Sequence, residues 1–428
     1  MTVAAVGSVP SVRGAGGVDS GQAWAQAAAT TVSTMATFGV AYSFGAFFDS
    51  MSEEFGTGRG ATAVVFSLTV SLSFFLAPVT GRWADRVGPR PVLLTGAAFL
   101  VGGLLATAAT PSLQLGYVTY GVGVGTAVAC AYVPMVANTG GWFERRRTAA
   151  LGVAVAGIGV GTLVANPVAA ALIEATNWRV TYVILAVVGG SLLLGVAKVA
   201  KVGPAAVPTA RPRSLLELLG RRDFLLLYVG ATLVSLTLFV PFVFLPDYAE
   251  EGGTAEVAAA SLVGVIGGAS VAGRLGLGAL AVRVGATRLY VASFAVMAAS
   301  FLLWLAAGDS YAMLAVYAVV LGIGYGGTIA IGPAVVAERF GMEGLGGVLG
   351  TFYTSAALGA LVGPPLAGFV IDRASYETAI LTAAVVSGVA TLVLLPLLTS
   401  RSEQLAGSGA PGVAPATTAP PPSPGPPA

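Results

Sequence analysis

One side chain in this chain of 428 residues is both suited to hold an anion and set where an anion would be needed: Arg274, inside an apolar stretch that runs from 257 to 281. Eight residues lie between Arg274 and Arg283, which puts the guanidinium roughly 12 Å inside the nearer edge of a lipid core whose half-thickness is roughly 15 Å. A charge there costs roughly 2.5–3.5 kcal/mol even on the most lenient insertion scale. No acidic residue well inside an apolar stretch offsets that cost. The position is tolerable if the side chain faces a water-filled cavity or an anion, and its planar fork of donors matches a carboxylate bidentately. A second reading stays open, in which Arg274 caps backbone carbonyls at a helix break near Gly267, Gly268 and Gly273.

Other chemistries are poorly provided for. The chain has no histidine, which removes the commonest metal ligand and the usual proton carrier near neutrality. Its one cysteine, Cys130, cannot make an internal disulfide or a thiolate cluster. No metal site, no cofactor and no enzymatic activity are predicted. Asp49 and Asp247, near the outer ends of the first and seventh apolar stretches, are the candidates for proton coupling. They can also be solvated end residues, and a further reading is that the substrate acid itself carries the proton. The run GVAVAGIGVG at 152–161 lacks the Lys-Ser/Thr ending of a phosphate loop, and its glycines are spaced for helix crossing in lipid.

These residues need a lipid-embedded scaffold. Of the chain, 56% is hydrophobic and 9% charged, against roughly 25% charged in soluble domains. Twelve stretches have the length of a membrane helix: 24–48, 61–81, 91–110, 113–137, 148–173, 180–199, 223–246, 257–281, 288–307, 311–336, 346–371 and 378–398. Short segments of alternating polarity, the mark of a membrane barrel, are absent. The predicted class is an all-α bundle of 12 transmembrane helices.

Charge orients it. Of the 21 lysines and arginines, 17 fall in the N-terminus, the even-to-odd connections and the C-terminus, and only Arg59, Arg179 and Arg373 fall on the other side. The positive-inside rule puts both termini in the cytoplasm. Arg145, Arg146 and Arg147 serve that rule and meet lipid headgroups, or latch a gate. The predicted organisation is a flexible N-terminus (1–23), a first half (24–199), a linker (200–222), a second half (223–399) and a proline-rich, disordered tail (400–428). The first twenty residues lack the basic start and cleavage site of a removable signal peptide. With a net charge of +2, no nucleic-acid partner is implied.

The chain also repeats itself at an offset of 197 to 199 residues. Phe47-Phe48-Asp49 with Glu53-Glu54 returns as Phe244-Leu245-Pro246-Asp247 with Glu250-Glu251; GRWADRVG at 81–88 returns as GALAVRVG at 278–285; Pro134 and Pro167 return as Pro333 and Pro365. Two six-helix halves of like topology imply a pseudo-two-fold axis along the membrane normal, with a site between the halves near midplane.

GRWADRVGPR at 81–90 resembles the signature loop of the major facilitator superfamily, a resemblance that covers residues 24–399. It implies that Gly81 permits close helix approach, that Asp85 pairs across a cytoplasmic gate, and that Arg86 and Arg90 latch the outward-facing state. Val282 stands where the second copy would carry the acid. Narrower features are similar to the monocarboxylate and oxalate:formate porter branch. They include Tyr42-Ser43-Phe44-Gly45, Trp142-Phe143-Glu144-Arg145-Arg146-Arg147, Asn177-Trp178-Arg179, Gly324-Tyr325-Gly326 and Gly363-Pro364-Pro365. That branch uses an arginine in span eight, here Arg274, to bind the substrate carboxylate.

By the same resemblance, Tyr132 and Tyr325 line the substrate site, with Tyr42 and Tyr353 as further candidates, although packing tyrosines would look the same. The second cation of oxalate-type relatives falls at Ala356, and the acid one turn before the arginine in animal relatives is Ser270. One cation argues for a monoanion. The expectation is a monomeric, multi-pass transporter of the cytoplasmic membrane, moving a small monocarboxylate of the lactate, pyruvate or acetate kind together with a proton. The alternative is a proton-antiport exporter of an acidic metabolite or drug.

Overall fold

The computed structural model describes residues 17–204, 215–341 and 345–399. The proline-rich tail, most of the predicted N-terminal segment and the middle of the linker lie outside these residues. Among the described residues every regular element is helical. In the first half these are α1 (Gly21–Tyr42), α2 (Phe44–Phe55), α3 (Arg59–Phe75), α4 (Ala77–Val87), α5 (Pro89–Ala108), α6 (Leu113–Gly116), α7 (Gly123–Ala131), α8 (Val133–Gly140), α9 (Arg147–Ala175) and α10 (Trp178–Val199). A π-helical turn, Tyr117–Val122, joins α6 to α7. After a short α11 (Leu215–Leu219) come α12 (Arg222–Leu238), α13 (Val240–Glu251), α14 (Glu256–Val284), α15 (Ala286–Ala307), α16 (Tyr311–Phe340), α17 (Leu345–Arg373) and α18 (Tyr376–Leu394).

Ten spans among the described residues are long and apolar enough to cross a membrane, or eleven if α3 and α4, bent by 45°, count as one. The stretch 24–48 is not among them. Gln26, Thr30, Thr31, Ser33, Thr34 and Thr37 lower the hydropathy of α1, and the chain breaks at Ser43. Those polar groups are met inside the bundle: Thr30 Oγ1 lies 2.7 Å from Thr139 Oγ1, Thr31 donates to Val153 O, and Thr34 donates to Ala154 O.

Three of the breaks follow proline chemistry. A proline lacks the N–H and clashes with the carbonyl four residues back, so a new helix starts around it. Pro78, Pro134 and Pro241 each sit at the second position of the segment they open: α4, α8 and α13. Seventh-span α12–α13 breaks at Phe239, the counterpart of the Ser43 break between α1 and α2.

Glycines set how closely the halves meet. A Cβ on Gly159 of α9 would lie 2.5 Å from Gly267 O of α14, and one on Gly368 of α17 would lie 2.6 Å from Gly60 N of α3. A Cβ on Gly45 of α2 would likewise lie 2.6 Å from Phe242 O of α13, so backbones touch across the interface at these places, as small residues permit in lipid. The glycines of 152–161 serve this packing on two sides, since Gly157 and Gly161 press on the Thr31 and Met35 carbonyls of α1.

Candidate functional site

Helix α14 carries Arg274 into the bundle without a break. Gly273 and Gly326 bring α14 and α16 into backbone contact beside it: added Cβ atoms would lie 2.3 Å from Ile323 O and 2.1 Å from Ser270 O. The arginine is 4% exposed. Its Nη1 donates to Val155 O of α9 at 2.7 Å. That bond crosses between the halves. Capping of a carbonyl thus occurs, but on a neighbouring helix and with part of the donor set. Nε and Nη2 are buried without a partner, and no acid pairs with the guanidinium among the described residues. A buried donor left unmatched costs about 1–3 kcal/mol, more on a charged group.

Aromatic rings complete the surroundings. The guanidinium carbon stands 5.7 Å from the centre of the Tyr325 ring. Tyr42 packs on Phe242 at 4.7 Å and on Phe38 at 5.3 Å; Tyr132 meets Phe38 edge-on at 5.2 Å; Tyr325 meets Phe242 at 6.0 Å. Tyr42, Tyr132 and Tyr325 are close enough to Arg274 and to each other to interact electrostatically. Tyr353 borders this group through Tyr132, packing on Phe74 at 6.1 Å rather than reaching Arg274. Phe38, Phe242 and the Val155 carbonyl escaped sequence reasoning, because an aromatic residue in an apolar stretch carries no mark of its partner. Ser270 donates to Gly267 O and offers no charge.

At one end of the bundle the halves are tied by a charge cluster, hereafter the latch. Arg59 Nε donates to Asp247 Oδ2 at 2.8 Å, Nη2 bonds Glu251, Nη1 lies 3.9 Å from Asp372 Oδ1, and the guanidinium stands 5.5 Å from the Tyr376 ring centre. The Tyr376 hydroxyl donates to Asp247 as well. Asp49 of α2 lies beside Asp247, and its neighbour Phe48 meets Phe244 of α13 edge-on at 5.2 Å. In the sequence, Arg59 was legible only as one of three cations on the charge-poor side.

The opposite, motif end differs from expectation. Asp85, Arg86 and Arg90 are exposed and unpaired among the described residues, and Arg82 Nε turns back to Pro78 O. A Cβ on Gly81 would meet nothing closer than Val133 Cγ1 at 3.8 Å. Among the described residues, close approach at Gly81 and pairing by Asp85, Arg86 and Arg90 are therefore not made in this structure.

Two segments of the chain, 30–307 and 275–423, match the family model described as Major Facilitator Superfamily. The chain belongs to that superfamily. Within it, the chain is 32% identical over 386 residues to monocarboxylate transporter 3 of Rattus norvegicus, covering 85% of this chain and 77% of the relative. It is 28% identical over 394 residues to monocarboxylate transporter 4 of the same organism, covering 88% and 83%. Among solved structures it is similar to a mutant form of the nucleoside transporter NupG, with TM-score 0.70, 14% identity, and 88% of this chain and 99% of that chain covered. A bacterial homolog of the human lysosomal transporter Spinster gives TM-score 0.69 at 14% identity, with 88% of this chain and 96% of that chain covered. At such identities these structures speak for the fold alone. As a member of this superfamily the chain is a multi-pass membrane transporter, and Arg274 and its aromatic surroundings lie where its two halves meet.

Proposed function

We propose that the protein is a secondary active transporter of a small organic monocarboxylate, carried with a proton by alternating access around Arg274. The observation that carries this reading is a buried guanidinium at the junction of the halves with Nε and Nη2 unmatched. A carboxylate would satisfy both donors and neutralise the charge. Tyr42, Tyr132 and Tyr325 supply hydroxyls beside it, and Phe38 and Phe242 supply an apolar wall that suits a short acid with one charge. The names of the relatives agree with that class. The charge distribution supports the cytoplasmic membrane as the location, with the latch end outward and both termini inward, and one chain is the transport unit.

The test is uptake of labelled lactate, pyruvate and acetate into proteoliposomes, with and without an inward proton gradient. Wild type is expected to take up at least one of them when the gradient is imposed. Arg274→Ala is expected to insert and fold but to lose saturable uptake, and Arg274→Lys to keep part of it with a raised KM, since a lysine cannot present the planar fork. Normal uptake by Arg274→Ala would sink the site. No uptake of any acid by folded wild type would make export of a larger acidic compound the better reading.

A further inference from the structure

The latch holds more acid than its single base can match. Around Arg59 of α3 stand Asp49 of α2; Asp247, Glu250 and Glu251 of α13; and Asp372 of α17. Glu256 of α14 lies behind Glu250 and faces Glu174 of α9, and Tyr376 of α18 closes the far side. Glu54, five residues past Asp49, is taken up elsewhere, by Arg179 Nη2 at 2.5 Å and Trp178 Nε1 at 2.6 Å. The hydrogen bonds within the latch are divided unequally. Asp247 receives Arg59 Nε at 2.8 Å, Arg59 Nη2 at 3.4 Å and the Tyr376 hydroxyl. Three donors suit it to the role of acceptor. Among the described residues Asp49 receives no such donor, and the carboxyl group beside it is that of Asp247.

Like charges on neighbouring carboxylates repel, and one shared proton relieves the repulsion. Asp49 and Asp247 also come from opposite halves, so their contact exists only when the latch end is shut. Once the halves separate there, each is solvated on its own and the reason to share a proton is gone.

We propose that Asp49 and Asp247 form a proton-binding site assembled by closure of the latch end, with the Asp49 O–H donating to the Asp247 carboxylate. The proton comes from water on the latch side and goes back to it when the end reopens. The site therefore makes closure depend on pH on that side, separately from any proton that crosses with substrate. This rests on the alternating-access reading above, in that the latch end must open and close.

The experiment is a distance measurement without substrate, so that failure of the carboxylate reading leaves it intact. Spin labels are placed on Ala175→Cys and Ala312→Cys, both exposed at latch-end tips of opposite halves, with buried Cys130 replaced by Ser. Distances are recorded in lipid nanodiscs between about pH 5.5 and 8.5. Wild type is expected to shift toward the short distance as pH falls, by up to about tenfold in the closed-to-open ratio per pH unit for one linked proton. Asp49→Asn, which needs no proton, is expected to hold the short distance at every pH. Asp49→Glu is expected to restore the pH response with a displaced midpoint. A wild-type distribution that does not change with pH would overturn the proposal, as would an Asp49→Asn response equal to wild type. Should Asp49→Asn not assemble, an Asp49→Glu midpoint identical to that of wild type overturns it.

Discussion

Each end of the bundle is built from two copies of its own sequence pattern, one from each half, and the two ends reach opposite states. At the latch end, backbones touch through Gly60 and Gly368 while Arg59 ties α3 to α13 and α17. At the motif end, the Gly81–Arg90 loop carries a denser set of charges, and Asp85, Arg86 and Arg90 have no partner among the described residues. Charged residues alone do not fasten the halves. What matters is whether small residues let the helices come close enough for the charges to leave water, since exposed pairs contribute about 0–1 kcal/mol and breaking a buried one costs far more.

The strongest way to break this contrast is to remove its hub. Arg59→Ala leaves Asp247, whose side chain is 6% exposed, without its cation. Stranding a buried charge costs about 3–5 kcal/mol, and because the Arg59 side chain is itself 29% exposed the loss of latch closure is expected near about 2 kcal/mol. The same spin-label pair is expected to lengthen at all pH values. Gly368→Leu attacks the other requirement: its Cβ would stand 2.6 Å from Gly60 N. Overpacking costs about 1–3 kcal/mol, so the end is expected to wedge open with its charges intact. Gly81→Ala is the matched control at the motif end. With 3.8 Å to the nearest atom, it is expected to leave thermal stability within about 0.5 kcal/mol, read by the melting temperature in detergent.

The smallest effect concerns the tether of the N-terminal arm. Asp19 accepts the Arg145 and Arg146 backbone N–H groups at 3.1 and 3.2 Å, and those bonds, Arg145 first, hold its carboxyl below the usual value of 3.8. A depressed acid contributes above its unfolded pKa and loses the contribution as pH falls through the folded one. The arm is thus expected to stay docked at neutral pH and to release only in strong acid. Asp19→Ala is expected to release it at every pH, and limited proteolysis near residue 20 is the readout.

How much of this was legible in the sequence varied with distance along the chain. Arg274 was visible because a lone charge in an apolar stretch is an outlier that needs no partner to be noticed. Tyr132 and Tyr325 were reachable only through resemblance, and Phe38 and Phe242 not at all, since an aromatic residue within a span looks the same facing lipid or ligand. All twelve stretches were read from the sequence, but among the described residues ten spans, or eleven with the bent α3–α4 pair, are long and apolar enough to cross; the first falls short because the hydroxyls of α1 dilute its apolar signal. Arg59 and Asp247 lie 188 residues apart, and nothing local in either predicts the other. The motif at 81–90 was readable as a pattern, but a pattern does not say which conformation a chain occupies.

The Gly159–Gly267 contact also sets a leverage. Gly267 lies seven residues from Arg274 and seventeen from Val284, so along α14 the two stand roughly 10 Å and 25 Å from that contact. A tilt of about ten degrees about it would carry the end of α14 by roughly 4 Å and Arg274 by less than roughly 2 Å. With the contact as fulcrum, the arginine sits on the short part of the arm, where a swing large enough to part the helix ends shifts the anion's anchor by little more than a bond length.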